Sequence, residues 1–453
     1  MNKGLKFIKQ IKEKDLERFF DRLFKIPRSI TGFGFLKSLN ILGEIIDLNI
    51  VKIKSNSKVL DWTVPDEWNI NDAYVIDPSG KKILEFKKNN LHLVNYSIPL
   101  NKTVSLKTLK KHLFTLKNQK NAIPYVTSYY NRTWGFCIEY NKYKKLKKGN
   151  YKVVINSSFN AKGNLIYNDT ILKGKSKKQI ILSTYLCHPQ MANNELSGPL
   201  LLTYLYRLLK LTGPHKYSYR FVICPENIGA AAFLHNNKKT IKSDVVAGYV
   251  INCVANGNKF TLKKSRQSNS LSDRAALNVL LNSNFKNVEI IDFFPDGSDE
   301  RQYCSPGFNL PVSSIMRNMY HNYSGLTKIK QDFPEYHTSL DNKKKFSFKT
   351  LLESLRVYFE VLMTIENNFM PKAKVIYGTP QLSKSKYPLY PKLMNFSSNP
   401  KTRATRLILE ILNLSEGKMD LLEICNTKKF KLIDYLDIYS NLLKSGYIKK
   451  IKQ

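Results

Sequence analysis

Apolar residues recur with a helical period at the start of the chain. Leu16, Phe19, Phe20 and Leu23 share one 3.6-residue face, Pro27-Arg28-Ser29 breaks it, and a second helix is predicted near Leu36 to Ile46. From about Ser55 to Ser158 the pattern turns to short alternating stretches such as Ala73-Tyr74-Val75-Ile76, punctuated by Pro78-Ser79-Gly80 and Pro99, which predicts strands. Trp62, Trp68 and Trp134 all fall inside it, so this part is expected to carry its own small core. Beyond Lys178, apolar strands alternate with helices: Gln179 to Tyr185, a helix after Gly198, Tyr219 to Cys224, a helix after Gly229, then Val245 to Cys253. That order predicts an α/β fold with a mainly parallel sheet flanked by helices, its chemistry at the carboxyl ends of the strands. After Pro371 comes a linker rich in Pro, Ser and Lys, then helical patterns at Arg403 to Leu414, Met419 to Cys425 and Lys431 to Leu443 before Gly446-Tyr447-Ile448. Three helices and a short strand predict a winged helix.

A chain of 453 residues exceeds one ordinary core, and its 42% hydrophobic content suits packed domains. The expected division is a discontinuous α/β domain at 1–54 and 159–370, an inserted β-rich domain at 55–158, a linker at 371–395 and a winged-helix-like domain at 396–453. No run of about eighteen apolar residues occurs, and the first residues lack the apolar core of a secretory signal, so no membrane span and a cytoplasmic protein are expected. The six cysteines are scattered singly among apolar neighbours and read as reduced. Cys187 adjoins His188, but neighbours along a strand point to opposite faces, which disfavours a cysteine hydrolase. The net charge of +38 would attract a polyanion, yet the lysines are spread along the chain beside abundant Asn and Ile, as an AT-rich genome would produce.

Candidate chemistry starts from the scarce histidines, seven in all. His188 ends a predicted strand and precedes Ala192-Asn193-Asn194-Glu195-Leu196-Ser197-Gly198, and His337 lies in Glu335-Tyr336-His337-Thr338-Ser339-Leu340-Asp341. Neutral imidazoles are good zinc ligands, and an open zinc site takes about three protein ligands plus water. Glu226 follows the strand Phe221 to Cys224 and Pro225; it reads either as a general base or as a glutamate that complements a helix dipole.

Taken in order, His188, Asn-Glu-Leu-Ser-Gly, Glu226 and His337-Thr-Ser-Leu-Asp resemble the co-catalytic zinc aminopeptidases. More closely, the chain resembles the aminopeptidase-like proteins associated with polysaccharide biosynthesis, which join a peptidase-like domain, an inserted β domain and a C-terminal winged helix. The resemblance covers nearly the whole chain. It rests on Arg28-Ser-Ile-Thr-Gly-Phe-Gly34, Asp61-Trp-Thr-Val-Pro-Asp-Glu-Trp68, Thr127-Ser-Tyr-Tyr130, Trp134-Gly-Phe-Cys137, Gly297-Ser-Asp-Glu-Arg-Gln-Tyr-Cys-Ser-Pro-Gly307 and Glu335-Tyr-His-Thr-Ser339. It implies His188 and His337 as metal ligands, Glu226 as general base and residue 194 as the carboxylate that completes the metal site.

Here the sequence departs from the pattern. Position 194 is Asn, Glu226 is followed by Asn227 where a second glutamate is expected, and Asn252-Cys253 replaces an aspartate. A neutral amide oxygen is a far weaker cation partner than a carboxylate, so one zinc, or none, is expected in place of two. Glu195, Asp299 and Glu300 are the nearby acids able to join the histidines, with Asp299 preferred. Tyr320 or Tyr336 is expected to assist an oxyanion, and Arg301 or Arg317 to bind a substrate carboxylate. The expected activity is hydrolysis of a peptide or other amide-bearing small substrate; a catalytically degenerate binding protein is the alternative. A nucleic-acid-binding regulator is a third reading: the tail carries Lys428, Lys429, Lys431, Lys444, Lys449, Lys450 and Lys452, but its candidate recognition helix has few base-reading side chains.

Overall fold

The computed structural model describes residues 2–321, 330, 331, 333–387, 389 and 400–451. They form two compact units, residues 1–268 with 289–355, and residues 269–288 with 356–453.

The first unit is built on a sheet of eight strands: β1 (Ile50–Lys54), β2 (Asn164–Leu172), β3 (Gln179–Tyr185), β4 (Ser218–Cys224), β5 (Val245–Val250), β6 (Phe260–Lys263), β7 (Val288–Ile291) and β8 (Val312–Arg317). Their order is β1-β2-β4-β3-β5-β8-β6-β7. The central strands β4, β3, β5 and β8 run parallel. All of β4, all but the first residue of β3 and all but one residue of β5 are buried, which explains their continuous apolar runs, since a parallel sheet is covered on both faces. β1, β2 and β6 add antiparallel pairings on either side, so the sheet is mixed outside its parallel centre. Helix Ser197–Thr212 is buried over nearly its whole first three turns. Its Gly198 is required by close approach: a β-carbon there would lie 2.3 Å from both Ile251 O and Thr184 Oγ1.

Between β1 and β2 the chain makes a second, antiparallel sheet in which Glu67–Ile76 and Asn150–Asn160 are central and Lys82–Glu85 and Leu100–Ser105 are edges. Trp68 anchors it: the indole is buried, stacks on Tyr96 at 5.4 Å and donates to Ser97 O at 3.0 Å. Trp134 stacks on His112 at 3.8 Å, so aromatic packing marks this region as the alternating pattern predicted.

The second unit contains helices Leu271–Leu281, Pro400–Leu414, Leu421–Thr427 and Leu436–Lys444, and strand Met370–Ala373 pairs antiparallel with Ile448–Ile451. The expected last helix begins as a 3₁₀ turn, Leu432–Tyr435, before the α-helix. No helix among the described residues is long and apolar enough to cross a membrane.

Asp420 joins two functions in this unit. Its side chain caps Leu421–Thr427 by accepting from Glu423 N at 2.8 Å, and Arg274 grips both its oxygens at 2.8 Å. Burial pushes the carboxyl up, but Arg274 and Asn368 hold it on balance below its usual value. A depressed folded-state pKa adds stability that is full above the unfolded value of about 4 and is lost as pH falls through the folded one. Asp420→Ala should therefore cost about 2 kcal/mol at neutral pH. In hydrogen exchange the loss should appear in residues 421–427, and it should shrink in acid; equal effects at pH 7 and pH 2 would contradict this account.

Candidate active site

Three of the expected residues meet at the carboxyl ends of β3 and β4. His188 follows β3 by three residues, Glu226 follows β4 by two, and the loop holding His337 closes over them. The His188 and His337 ring centres are 5.3 Å apart, and His188 Nε2 lies 3.4 Å from Glu226 Oε2. His188 is held from behind: its Nδ1–H donates to Glu195 Oε2 at 2.8 Å and its Nε2 faces Glu226. Burial pushes its pKa down, but the neighbouring Cys187, Tyr125 and Glu195 raise it on balance well above the usual value, so the ring is protonated and a metal at Nε2 would have to displace that proton. Arg28, fully buried, lies 3.4 Å from Glu195 Oε1 and donates from Nε to His188 O at 3.1 Å and from Nη1 to Leu23 O at 2.5 Å. The arginine thus neutralises the carboxylate that orients the imidazole.

His337 is placed under strain, with φ of +56°, a left-handed value uncommon for a side chain of this size. Its Nε2 is buried without a hydrogen-bond partner among the described residues. Burial, then the charge of His188, lowers its pKa to about 3, so the ring is neutral and can donate a lone pair. Burial pushes the Glu226 carboxyl up, while the hydrogen bond and charge of His188 bring it below its usual value and keep it ionised.

The other nominated residues have different surroundings. Asp299 is buried and accepts Asn227 N–H at 2.6 Å and Cys224 S–H at 3.6 Å; burial, then the charge of Glu226, raises it to about 8. It therefore braces the turn that carries Glu226. Glu300 pairs with buried Lys263 at 2.7 Å. Asn194 is buried, its Oδ1 accepting from Tyr185 OH at 3.1 Å and its amide nitrogen without a partner among the described residues. Asn227, at φ +61°, accepts at its Oδ1 from Arg301 Nε–H at 2.6 Å. Arg317 is held by Glu353, by Ser354 Oγ at 3.1 Å and over the Phe260 ring at 3.5 Å, an arrangement that supports the sheet edge. Tyr336 stacks on His337 at 3.9 Å. The side chain of Tyr320 lies outside the described residues.

Some contributors were not legible as such. Tyr125 comes from the stretch between β1 and β2 and sets its ring edge-on to His188 and His337, at 5.1 and 5.5 Å; its hydroxyl meets Tyr129 OH at 3.0 Å. Asp341 accepts the backbone N–H groups of Asn193 and Asn194 at 2.8 and 2.9 Å, and burial raises it to about 7. Its spacing of four residues from His337 was the available signal.

A mixed sheet with a parallel centre and a buried His/Glu cluster at its carboxyl edge is an aminopeptidase-like arrangement. The fold is similar to that of BSAP, a zinc aminopeptidase from Bacillus subtilis, with a TM-score of 0.54 and 11% identity over 78% of this chain and 94% of that one. The chain belongs to the family described as a domain of unknown function (DUF4910), whose model matches residues 17–368, and a winged helix-turn-helix model matches residues 370–450. It is 39% identical over 428 residues, 93% of each chain, to a Clostridium acetobutylicum protein provisionally named a polysaccharide biosynthesis protein with aminopeptidase-like domain. The crystal structure of a provisionally named peptidase from Clostridium acetobutylicum matches with a TM-score of 0.84 and 36% identity over 97% of this chain and 96% of that one.

Zinc is implied by the fold relatives, and the residues present fit one ion better than two. Two imidazoles bound to one ion at about 2.0–2.1 Å place their ring centres roughly 5 Å apart, close to the spacing of His188 and His337. The unpartnered Nε2 of His337 suits such a ligand. A second ion would lack carboxylates at the positions where the resemblance implies them, since residues 194 and 227 are Asn and their amide oxygens are already hydrogen-bonded. Among the described residues no three His, Cys, Asp or Glu side chains are already gathered around a cation position.

Arg28→Met removes the partner of Glu195 and leaves a buried carboxylate uncompensated, so a loss of about 3–5 kcal/mol is expected. Urea denaturation of the full chain measures it; a loss under about 1 kcal/mol would show that the ion pair does not hold the site together.

Proposed function

We propose that this chain hydrolyses an amide bond with the assistance of one weakly held zinc ion, using Glu226 as general base. The observation that carries the reading is the approach of His188 Nε2 to Glu226 Oε2 at 3.4 Å, beside the unpartnered Nε2 of His337. His188 and His337 would hold the metal, which when bound polarises the scissile carbonyl and activates water. Glu226, ionised and only partly buried, takes the proton of the attacking water and returns it to the leaving amine. Asp299 and the Asn227–Arg301 contact keep its turn in place. Tyr336 borders the same space and is the candidate to stabilise the oxyanion; Arg301 is the candidate to meet a substrate carboxylate. The name of the Clostridium acetobutylicum relative supports a peptide or amide-bearing sugar intermediate as the substrate class. The domain division that accompanies this reading is a hydrolase domain at 1–54 and 159–370, an insertion at 55–158 and a winged helix at 396–453.

The amides at 194, 227 and 252 favour a second reading, in which the cleft binds such a substrate and no longer cleaves it. Metal analysis after zinc loading separates the two. At most one zinc per chain, lost in His188→Ala and bound at least tenfold more tightly in Asn194→Asp, is expected of the hydrolase. Glu226→Gln should keep the zinc and lower amide turnover by a factor of about 100 or more. Zinc-loaded protein that cleaves no peptide or amidated sugar establishes the binding reading.

A further inference from the structure

The region between β1 and β2 holds a cavity of about 580 Å³, with Ile83, Ile138, Leu146 and Tyr151 among its apolar wall residues and lysines at its rim. Two of its three carboxylates are already paired, Glu85 with Lys88 and Glu139 with Lys142, each at 2.6 Å. The third, Asp77, is satisfied by the hydroxyl of Ser79 at 2.6 Å and the backbone N–H of Lys81 at 3.0 Å. Lys145 and Lys147, both exposed, have no carboxylate partner among the described residues. The wall suits an apolar body and the rim suits an anionic head.

Ile123 lines this cavity, and its backbone is bonded to the loop of His337: Ile123 N–H donates to Ser339 Oγ at 3.0 Å, and Ser339 N–H donates to Ile123 O at 2.9 Å. Two residues on, Tyr125 N–H donates to His337 O at 2.9 Å, and the Tyr125 ring lies against both histidines. One short segment is thus a wall of the cavity and a support of the candidate active site.

We propose that the cavity is a binding site for a small amphiphilic anion, an aromatic or aliphatic body carrying a phosphate or carboxylate, and that its occupancy steadies the His337 loop through residues 123–125. Binding stands independently of catalysis; only the relevance of the His337 loop rests on the reading above. A ligand held against Ile123 favours the arrangement in which the bonds to Ser339 and His337 are closed, which is the differential contact that coupling requires.

Calorimetric titration of the full chain with phenyl phosphate, and separately with benzoate, tests this; the stronger of the two identifies the head group. Saturable 1:1 binding should weaken at least tenfold in Lys145→Glu/Lys147→Glu and in Ile138→Trp, which fills the cavity. It should be unchanged in Lys3→Glu/Lys6→Glu, a change at the separate basic groove lined by Lys3, Lys6 and Phe7. With ligand bound, mass-spectrometric hydrogen exchange should slow at least threefold in peptides containing Tyr125 and Ser339. No saturable binding, or affinity indifferent to the surface lysine changes, overturns the site. Binding without slower exchange at those peptides overturns the coupling. Neither outcome depends on zinc or on turnover, so the site fails or stands apart from the hydrolase reading.

Discussion

The buried chain of contacts from Arg28 through Glu195 to His188 is the constraint around which the first unit is arranged. A carboxylate with no exposed side-chain surface is costly unless its charge is met, and Arg28 meets it from a segment 160 residues from His188 in sequence. Once Glu195 is fixed, the direction of the His188 ring follows. The loop of Glu195 must then turn directly into helix Ser197–Thr212, which is where a residue without a β-carbon is needed at 198. The same interaction therefore sets a side chain for chemistry and the packing of a helix on the sheet.

A second feature is strain collected at the strand ends. Asn227, Cys253 and His337 all adopt positive φ, at +61°, +50° and +56°. Each value is unfavourable for a residue with a side chain, and each is tied down: Asn227 by Asp299 and Arg301, His337 by Tyr125 and the stacked Tyr336. Arg317 N–H fixes the carbonyl of Cys253 at 2.8 Å. A loop held this firmly presents its side chains without reorganisation, which is what a site built for electrostatic work requires.

The parallel centre of the sheet and the winged helix were legible because their signals are local: continuous apolar runs for strands covered on both faces, and a 3.6-residue period for the tail helices. His188, Glu226 and His337 were legible because each stands in a loop directly after a strand or in a distinctive acidic and aromatic setting. The antiparallel strands β1 and β2 were less so, because β1 alternates polar and apolar residues and its partner lies more than a hundred residues away. The contribution of Tyr125 could not be read for the same reason, since nothing local ties residue 125 to residues 188 and 337. Glu195 was visible as an acid near His188, but whether it faces the metal side or the outer side of the ring is a question of loop geometry alone.

That last distinction bears on the chemistry. The resemblance implies a carboxylate at 194 that would add charge to a cation site; the carboxylate at 195 instead grips Nδ1 of His188 and raises the basicity of Nε2. The chain has Asn at 194 and Glu at 195, so negative charge beside His188 is present but lies behind the ring. Asn194 is not a bystander, because its oxygen takes the Tyr185 hydroxyl while its backbone N–H is held by Asp341. The amide oxygen is thus satisfied by neutral donors, while the amide nitrogen has no partner among the described residues. Under the proposed reading, His188 and His337 would be the residues left to hold a zinc ion, with Glu226 beside them.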